Sequence, residues 1–349
     1  MKILYLITGL GGGGAEKVVA DLADQMFQRG HQVKIAYLKG EVIVRPENSK
    51  IELVYLGFER PINFYFGSKR FQKIVKEFNP DVVHSHMVHA NIFARINRIF
   101  IKINKLICTA HNANEGGTLR MIGYKITNNL SDINTNVSVE AVESFIKKKA
   151  FSKKAIAIYN GIDLNKFKFV TKKNNNIKNI FAVGRLNIQK DYPNLLKALS
   201  LIPNKSSFKL LIAGEGEERQ NIEKLIKDYE LESCVELLGR RNDIPDLFQQ
   251  ADLFVLSSAF EGFGLVVAEA MASNTFVVAT DCGGVKEVMG NTGILVPPKD
   301  SVALSEGLIT AINLAQPDII ENNIKAFKYV KKNFDLQLII DKWLKLYAS

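Results

Sequence analysis

The stretch Leu253-Phe-Val-Leu-Ser257-Ser-Ala-Phe-Glu261-Gly-Phe-Gly264-Leu-Val-Val-Ala-Glu269 opens apolar, turns on two glycines and closes on a second apolar run. Leu253 to Leu256 has no polar alternation, as expected of a parallel strand covered on both faces. Gly262 and Gly264 suit a strand-to-helix turn, and the spacing predicts a helix from near Gly264 to Ser273. The free amides of such a helix face the carboxyl end of its strand, where α/β sheets hold ligands.

The same unit recurs on either side. Strands are expected at Lys2–Thr8, Gln32–Leu38, Ile51–Leu56, Asp81–Ser85, Lys105–Ala110, Ile133–Val137 and Ala155–Ile158. A second series runs through Asn179–Val183, Phe208–Ala213, Val235–Leu238, Ala251–Leu256, Thr275–Ala279 and Gly293–Val296. Helical patterns lie between many of them, so the fold class is α/β: two tandem Rossmann-like doubly wound domains facing a central cleft. The expected division is 1–166, a polar linker 167–178, and 179–335. An amphipathic helix over about 336–349, with the only Trp at 343, either closes the second domain or crosses back onto the first.

Composition narrows the class. The chain has 349 residues, 47% hydrophobic and 23% charged, which excludes a disordered chain, a collagen and a disulfide miniprotein. No apolar run approaches the roughly 20 residues of a membrane span, and the apolar run after Lys2 is too short for a signal-peptide core. Cys108, Cys234 and Cys282 show no metal or redox spacing, so a reducing cytoplasm is the expected location. The net charge of +10 is confined: Arg60 to Lys154 holds sixteen basic and six acidic residues, and the rest balances. Such a region points to an anionic partner. Read as one helix, Asn91 to Lys105 puts Ile92, Phe93, Ile96, Ile99, Phe100 and Ile103 on one face and Arg95, Arg98, Lys102 and Lys105 on the other. That basic stripe, with Arg120, Lys125 and Lys147–Lys149, could meet the anionic inner face of a membrane. No nucleic-acid module is recognisable.

Several predicted strand ends carry groups suited to a phosphorylated ligand. Gly9-Leu-Gly-Gly-Gly-Gly14 follows the first strand and opens a helix, formally satisfying G-x-G-x-x-G. A dinucleotide site would also want an acid at the end of the second strand, and none appears until Glu41, which weakens a nicotinamide oxidoreductase reading. In the second domain Gly184-Arg185 with Lys190, Gly214-Glu-Gly216 and Gly239-Arg240-Arg241 end successive strands. Arg and Lys there can neutralise phosphate oxygens. Glu261 in its turn and Glu269, about 7–8 Å into the helix, can hold hydroxyls on either side of a phosphate. His84, His86 and His89 crowd one strand end, but no cysteine or carboxylate cluster completes a metal site. His84 or His86 is expected instead as a hydrogen-bonded cleft residue.

Taken together, these motifs resemble family 4 glycosyltransferases of the GT-B fold over nearly the whole chain. The resemblance rests on the glycine loop, Asp81-Val-Val-His84-Ser-His86, Cys108-Thr-Ala-His111, Asn160-Gly-Ile-Asp163, Gly184-Arg185 with Lys190, Ala213-Gly-Glu-Gly216, the two glutamates eight apart, Ala270-Met-Ala272, and Thr280-Asp-Cys-Gly-Gly284. Asn274 and Phe276 stand where the family usually has Gly and Pro. The resemblance implies a retaining transferase that takes a sugar from a nucleotide donor, expected to be UDP-linked, to a growing glycan, lipid-linked or not, of a capsule, lipopolysaccharide or other cell-surface polysaccharide. Arg185 and Lys190 would neutralise the diphosphate, aided by the amides of Phe263, Gly264 and Leu265 and the backbone at Gly184 and Gly214. Glu269 would take the ribose, Glu261 the transferred sugar, and the backbone at Arg240 and Arg241 the base. His111 would reach the sugar near the reacting carbon, and Gly12 and Gly13 would line the acceptor side of the diphosphate. No cofactor or metal is expected. The non-enzymatic alternative is a two-lobed sugar-binding protein.

Overall fold

The computed structural model describes residues 1–113, 115–172 and 177–349. It divides into two units: Met1–Gly161 together with Gln337–Ser349, and Ile162–Leu336. The first unit holds β1 (Lys2–Ile7), β2 (Gln32–Tyr37), β3 (Glu52–Tyr55), β4 (Val82–His86), β5 (Leu106–Ala110), β6 (Ile133–Asn136) and β7 (Ile156–Ala157). They form one parallel sheet in the order β3-β2-β1-β4-β5-β6-β7. The second unit holds β8 (Asn179–Val183), β9 (Lys209–Ala213), β10 (Val235–Gly239), β11 (Leu253–Leu256), β12 (Phe276–Thr280) and β13 (Ile294–Val296), in the order β10-β9-β8-β11-β12-β13, again parallel.

Burial explains the sequence pattern. Ile3 through Ile7 are wholly inaccessible, and Leu253 through Leu256 nearly so, because helices cover both faces of each sheet. In each sheet the strand order reverses once, between β1 and β4 in the first unit and between β8 and β11 in the second. Ligands of open α/β sheets bind beyond the strands at such a switch point. Pairing there is in register, Tyr5 opposite His84 and Leu253 opposite Ile180.

The unit boundary falls at Gly161 and Ile162 rather than after 166. Of the expected linker, 173–176 lie outside the described residues, and its flanks are packed: Phe167 and Ile177 are buried. Lys172 donates to the carbonyls of Phe248 and Ala251 and to Thr275 Oγ1, and its burial lowers its pKa to about 8. The helix Leu336–Ala348 brings its side chains to the first unit: Tyr347 Oη lies 2.6 Å from His84 Nδ1 and 3.2 Å from Tyr5 Oη, and Asp341 pairs with Arg29.

Asn91 to Lys105 is not one helix. The helix Val88–Asn97 stops where the Asn97 carbonyl accepts the amides of Phe100 and Ile101, a tightened turn that leaves Ile99 and Phe100 exposed. Arg95 is not on a surface stripe but fully buried. Its guanidinium donates to Asn134 Oδ1, Thr127 Oγ1 and the Tyr124 carbonyl and lies 5.1 Å from the Tyr124 ring centre, so protein groups replace its water. Arg98 pairs with Asp132, and Lys105 reaches the Tyr347 carbonyl and Ser349.

Candidate functional site

At the switch point of the second unit the two turns leaving β8 and β11 are tied together. The Ala259 amide donates to the Gln189 carbonyl at 2.8 Å, and Ser257 Oγ to the Lys190 carbonyl at 2.8 Å. This brings Lys190 Nζ to 2.6 Å from Glu261 Oε1, which also accepts Ser258 Oγ at 2.7 Å. Both side chains are largely buried, 16% and 10% exposed, yet each neutralises the other. The pair is a cation and a hydroxyl-binding carboxylate held in one place.

The glycines around it are required by close approach. A Cβ on Gly214 would meet the Gly184 carbonyl at 1.9 Å, one on Gly184 the Lys190 side chain at 2.7 Å, and one on Gly283 the Glu261 carbonyl at 2.0 Å. Gly184, Lys190, Gly214, Glu261 and Gly283 therefore form one contiguous patch. Gly264 holds φ +86° as the N-cap of the helix Leu265–Ala272, a conformation that favours glycine. Phe263 is buried edge-on against Phe334, and Glu269 is buried at 3% exposure in the second turn. Asn274 takes the left-handed φ of 58° just past this helix, which explains why Gly is dispensable there. Arg185 is exposed and makes no ion pair with a described residue. Arg240 and Arg241 end the edge strand β10, and Arg241 is taken up by Asp243. No contact joins their side chains to the Lys190–Glu261 pair.

The first unit builds its switch point from neutral groups. Gly12 has φ +91°, and a side chain on Gly13, the N-cap of the helix Gly14–Gln28, would strike the Glu16 carboxylate. Nothing crowds Gly11 or Gly14, so that backbone lies open to a ligand. At the end of β4, His86 Nδ1 lies 3.0 Å from His111 Nε2 at the end of β5. Desolvation lowers His111 to about 4 and pushes His84 and His86 well below the usual histidine range, so all three rings are neutral at pH 7. His84 is not a cleft residue. It sits in the core between Thr109 Oγ1 and Tyr347 Oη, 4.5 Å from the Trp343 ring. Among the described residues no group of three or more His, Cys, Asp or Glu is arranged to hold a metal.

Sequence reasoning passed over one group. Glu115 is buried, its Oε1 accepting the His111 amide at 2.7 Å and its Oε2 the Tyr124 hydroxyl at 2.5 Å. Burial raises its pKa to about 7. The available signal was its position, four residues after His111 and immediately before Gly116-Gly117.

Residues 12–166 match the Glycosyltransferase Family 4 model and residues 163–327 the model for glycosyl transferases group 1. A Campylobacter jejuni N-acetylgalactosamine-N,N'-diacetylbacillosaminyl-diphospho-undecaprenol 4-alpha-N-acetylgalactosaminyltransferase is 27% identical over 95% of this chain and 96% of that protein. The amylovoran biosynthesis glycosyltransferase AmsD of Erwinia amylovora is 24% identical over 98% of each chain. In three dimensions, HepE of Anabaena, solved in complex with UDP and glucose, is similar with a TM-score of 0.83 at 22% identity, covering 100% of this chain and 99% of that one. With both units matched and the switch-point geometry in place, the chain belongs to the family 4 glycosyltransferases of the GT-B fold.

Proposed function

We propose that this glycosyltransferase moves a sugar from a UDP-linked donor to a lipid-linked glycan with retention of anomeric configuration. The observation that carries the reading is the Lys190–Glu261 pair at the switch point of the second unit, one cation for the diphosphate and one carboxylate for the sugar. Arg185, exposed and without an ion pair among the described residues, adds a second cation, and the amides of Phe263, Gly264 and Leu265 add helix-start donors. Glu269 takes the ribose hydroxyls, the backbone at Arg240 and Arg241 the base, and His111 the sugar near its reacting carbon. Gly12 and Gly13 line the diphosphate from the glycine loop, whose backbone is uncrowded at Gly11 and Gly14.

In the step itself the bond from the anomeric carbon to the diphosphate oxygen breaks while the acceptor oxygen joins the same face. The acceptor proton passes to the departing phosphate oxygen, so no protein nucleophile, cofactor or metal enters. Neutralising charge on the leaving group is the largest contribution such a site can make. HepE was solved with UDP and glucose, and the Campylobacter relative is named for a diphospho-undecaprenol acceptor; both support this choice of donor and acceptor. The test is a saturation-transfer NMR screen of nucleotide sugars, followed by transfer to an undecaprenol-diphosphate-linked glycan and NMR assignment of the product's anomeric configuration. An inverted product would overturn the retaining step.

The same reading includes peripheral attachment to an anionic membrane, supported by residues other than the basic stripe. On the helix Thr118–Thr127, Leu119, Ile122 and Ile126 are exposed at 84%, 44% and 76%, one face at helical spacing, beside exposed Arg120 and Lys125. Apolar side chains flanked by cations fit an anionic lipid interface. Co-sedimentation with phosphatidylglycerol vesicles should weaken when Leu119 and Ile126 become Gln. Unchanged binding would remove the membrane from the reading. Among the described residues no helix is long and apolar enough to cross one.

A further inference from the structure

Gly116 and Gly117 both hold left-handed φ, 93° and 88°, and Arg120 Nη1 caps the Glu115 carbonyl at 3.3 Å. This geometry drives the Glu115 carboxyl inward, where it meets a hydrogen-bond chain whose direction is fixed. Ser85 Oγ donates to Asn91 Oδ1, and Asn91 Nδ2 donates to the Thr109 carbonyl and to the Tyr124 oxygen. Because the Tyr124 oxygen already accepts from Asn91, its own proton points to Glu115 Oε2. The other carboxyl oxygen receives the amide of His111. Both oxygens are thus addressed by donors, and the chain closes without conflict only when Glu115 is ionised.

We infer that Glu115 is a positioning residue for His111: its carboxylate, clamped between the His111 amide and the Tyr124 hydroxyl, fixes the backbone from which the sugar-facing imidazole projects. This rests on the reading that His111 touches the donor sugar. A proton added to either carboxyl oxygen turns an acceptor toward a donor, so one of the two clamps is lost. Burial sets that proton's affinity near neutrality, at about 7. The groups facing Glu115 are few: Tyr124 and Arg120 from the helix Thr118–Thr127, Arg95 and Asn91 from the helix Val88–Asn97, and His111 with its neighbour His86 from the strand ends. The two arginines favour the carboxylate, desolvation opposes it, and the histidines are already neutral, leaving Glu115 as the group of this cluster that titrates near pH 7.

The experiment uses the full chain and two readouts over pH 5.5–9. The first is UDP release from UDP-glucose, UDP-galactose and their 2-acetamido counterparts; the second is the NMR shift of the His111 amide. In the wild type both should move together through about pH 7, with activity on the alkaline side. Glu115→Gln should lower kcat at pH 8 by about ten- to a hundredfold, as misplacement near a reacting centre does, and abolish both inflections. UDP affinity and the donor KM should stay near wild type. Tyr124→Phe removes a bond that favours the carboxylate but leaves the His111 amide clamp, so it should lower the alkaline kcat less than Glu115→Gln does and shift both inflections to higher pH, a displacement that a purely structural role does not produce. Full activity in Glu115→Gln at pH 8, or an inflection that neither variant moves, would overturn the proposal. His111→Ala separates the two layers. If it is inactive while Glu115→Gln is unimpaired, the clamp is wrong and the sugar contact stands; wild-type turnover in His111→Ala would remove both.

Discussion

The two switch points of this enzyme are built from opposite materials. In the second unit the site is ionic: Lys190 against Glu261, with an exposed Arg185 following the β8 strand end at Gly184, set among glycines that let strand ends touch. In the first the imidazoles at the strand ends are neutral, a His86–His111 contact with the Glu115 carboxyl as the one titrating group behind it, and all five histidines of the chain lie in that unit. The difference matches the chemistry. A diphosphate leaves with charge and needs cations fixed in advance, while a sugar and its incoming hydroxyl need donors and acceptors that do not themselves attract the phosphate.

The largest effects should come from breaking the ionic side. On the proposed assignment of Glu261 to the sugar, Glu261→Gln should leave free UDP binding almost unchanged while turnover falls by about a hundred- to a thousandfold. Lys190→Ala should lower turnover at least as much and also weaken UDP, because it strips the diphosphate of a cation and leaves Glu261 buried without one. Calorimetric UDP binding beside a transfer assay separates the two; loss of UDP affinity in both to the same extent would merge sugar and phosphate roles. Next comes Glu269→Gln, which keeps shape but loses a charge-assisted hydrogen bond of about 1.5–3 kcal/mol, so UDP affinity should fall by roughly 10- to 150-fold. Wild-type UDP affinity in this variant would return Glu269 to an ordinary buried acid.

A smaller, pH-dependent effect tests the neutral side. His84, His86 and His111 have folded pKa values below the unfolded 6.5, so the unfolded chain binds more protons as pH falls below it. Their contribution is present above about 6.5 and is lost as pH falls well below it, toward about 4 for His111. Glu115 acts oppositely: its folded pKa of about 7 exceeds the unfolded 4.5, so it stabilises as pH falls through that interval. Three histidines outweigh one carboxyl. Hydrogen exchange at pH 5, corrected for intrinsic rates, should show β1, β4 and β5 opening more easily than at pH 7 by about 1–3 kcal/mol, with β8 and β11 unaffected. Equal acid sensitivity in both sheets would deny the contrast.

What was legible in the sequence follows the same divide. The ionic site is local: the Leu253–Glu269 strand, turn and helix carry their own periodicity, glycines and acids, and Lys190 follows its strand by seven residues. The neutral site is assembled from distant parts. His84 reads as a hydrogen-bonded cleft residue until Tyr347, 263 positions away, covers it. Arg95 reads as surface charge because periodicity assigns a guanidinium to solvent, and only the folded chain supplies the carbonyl, hydroxyl and ring that replace water. Glu115 was hidden for the same reason, since Tyr124 and Asn91 acquire meaning only once their helices pack.

The smallest effect should come from removing divalent metal. A bound Mg²⁺ or Mn²⁺ would serve this reaction by neutralising the departing diphosphate. In the proposed site that charge is opposed by Lys190, held at the switch point by its ties to the turn after β11 and shared with Glu261, and by Arg185, which has no acidic partner among the described residues. Amides at the start of the helix Leu265–Ala272 add partial positive charge directed at the same end of the sheet. A metal would add repulsion against these cations, and the Glu261 carboxylate beside them is already engaged by Lys190. Turnover in EDTA should therefore stay within about twofold of the untreated enzyme, and Lys190→Ala should not be rescued by added Mg²⁺. Complete loss in EDTA restored by Mn²⁺ or Mg²⁺ would mean that side chains do not carry the phosphate charge, and the contrast between an ionic and a neutral half would have to be redrawn around an ion.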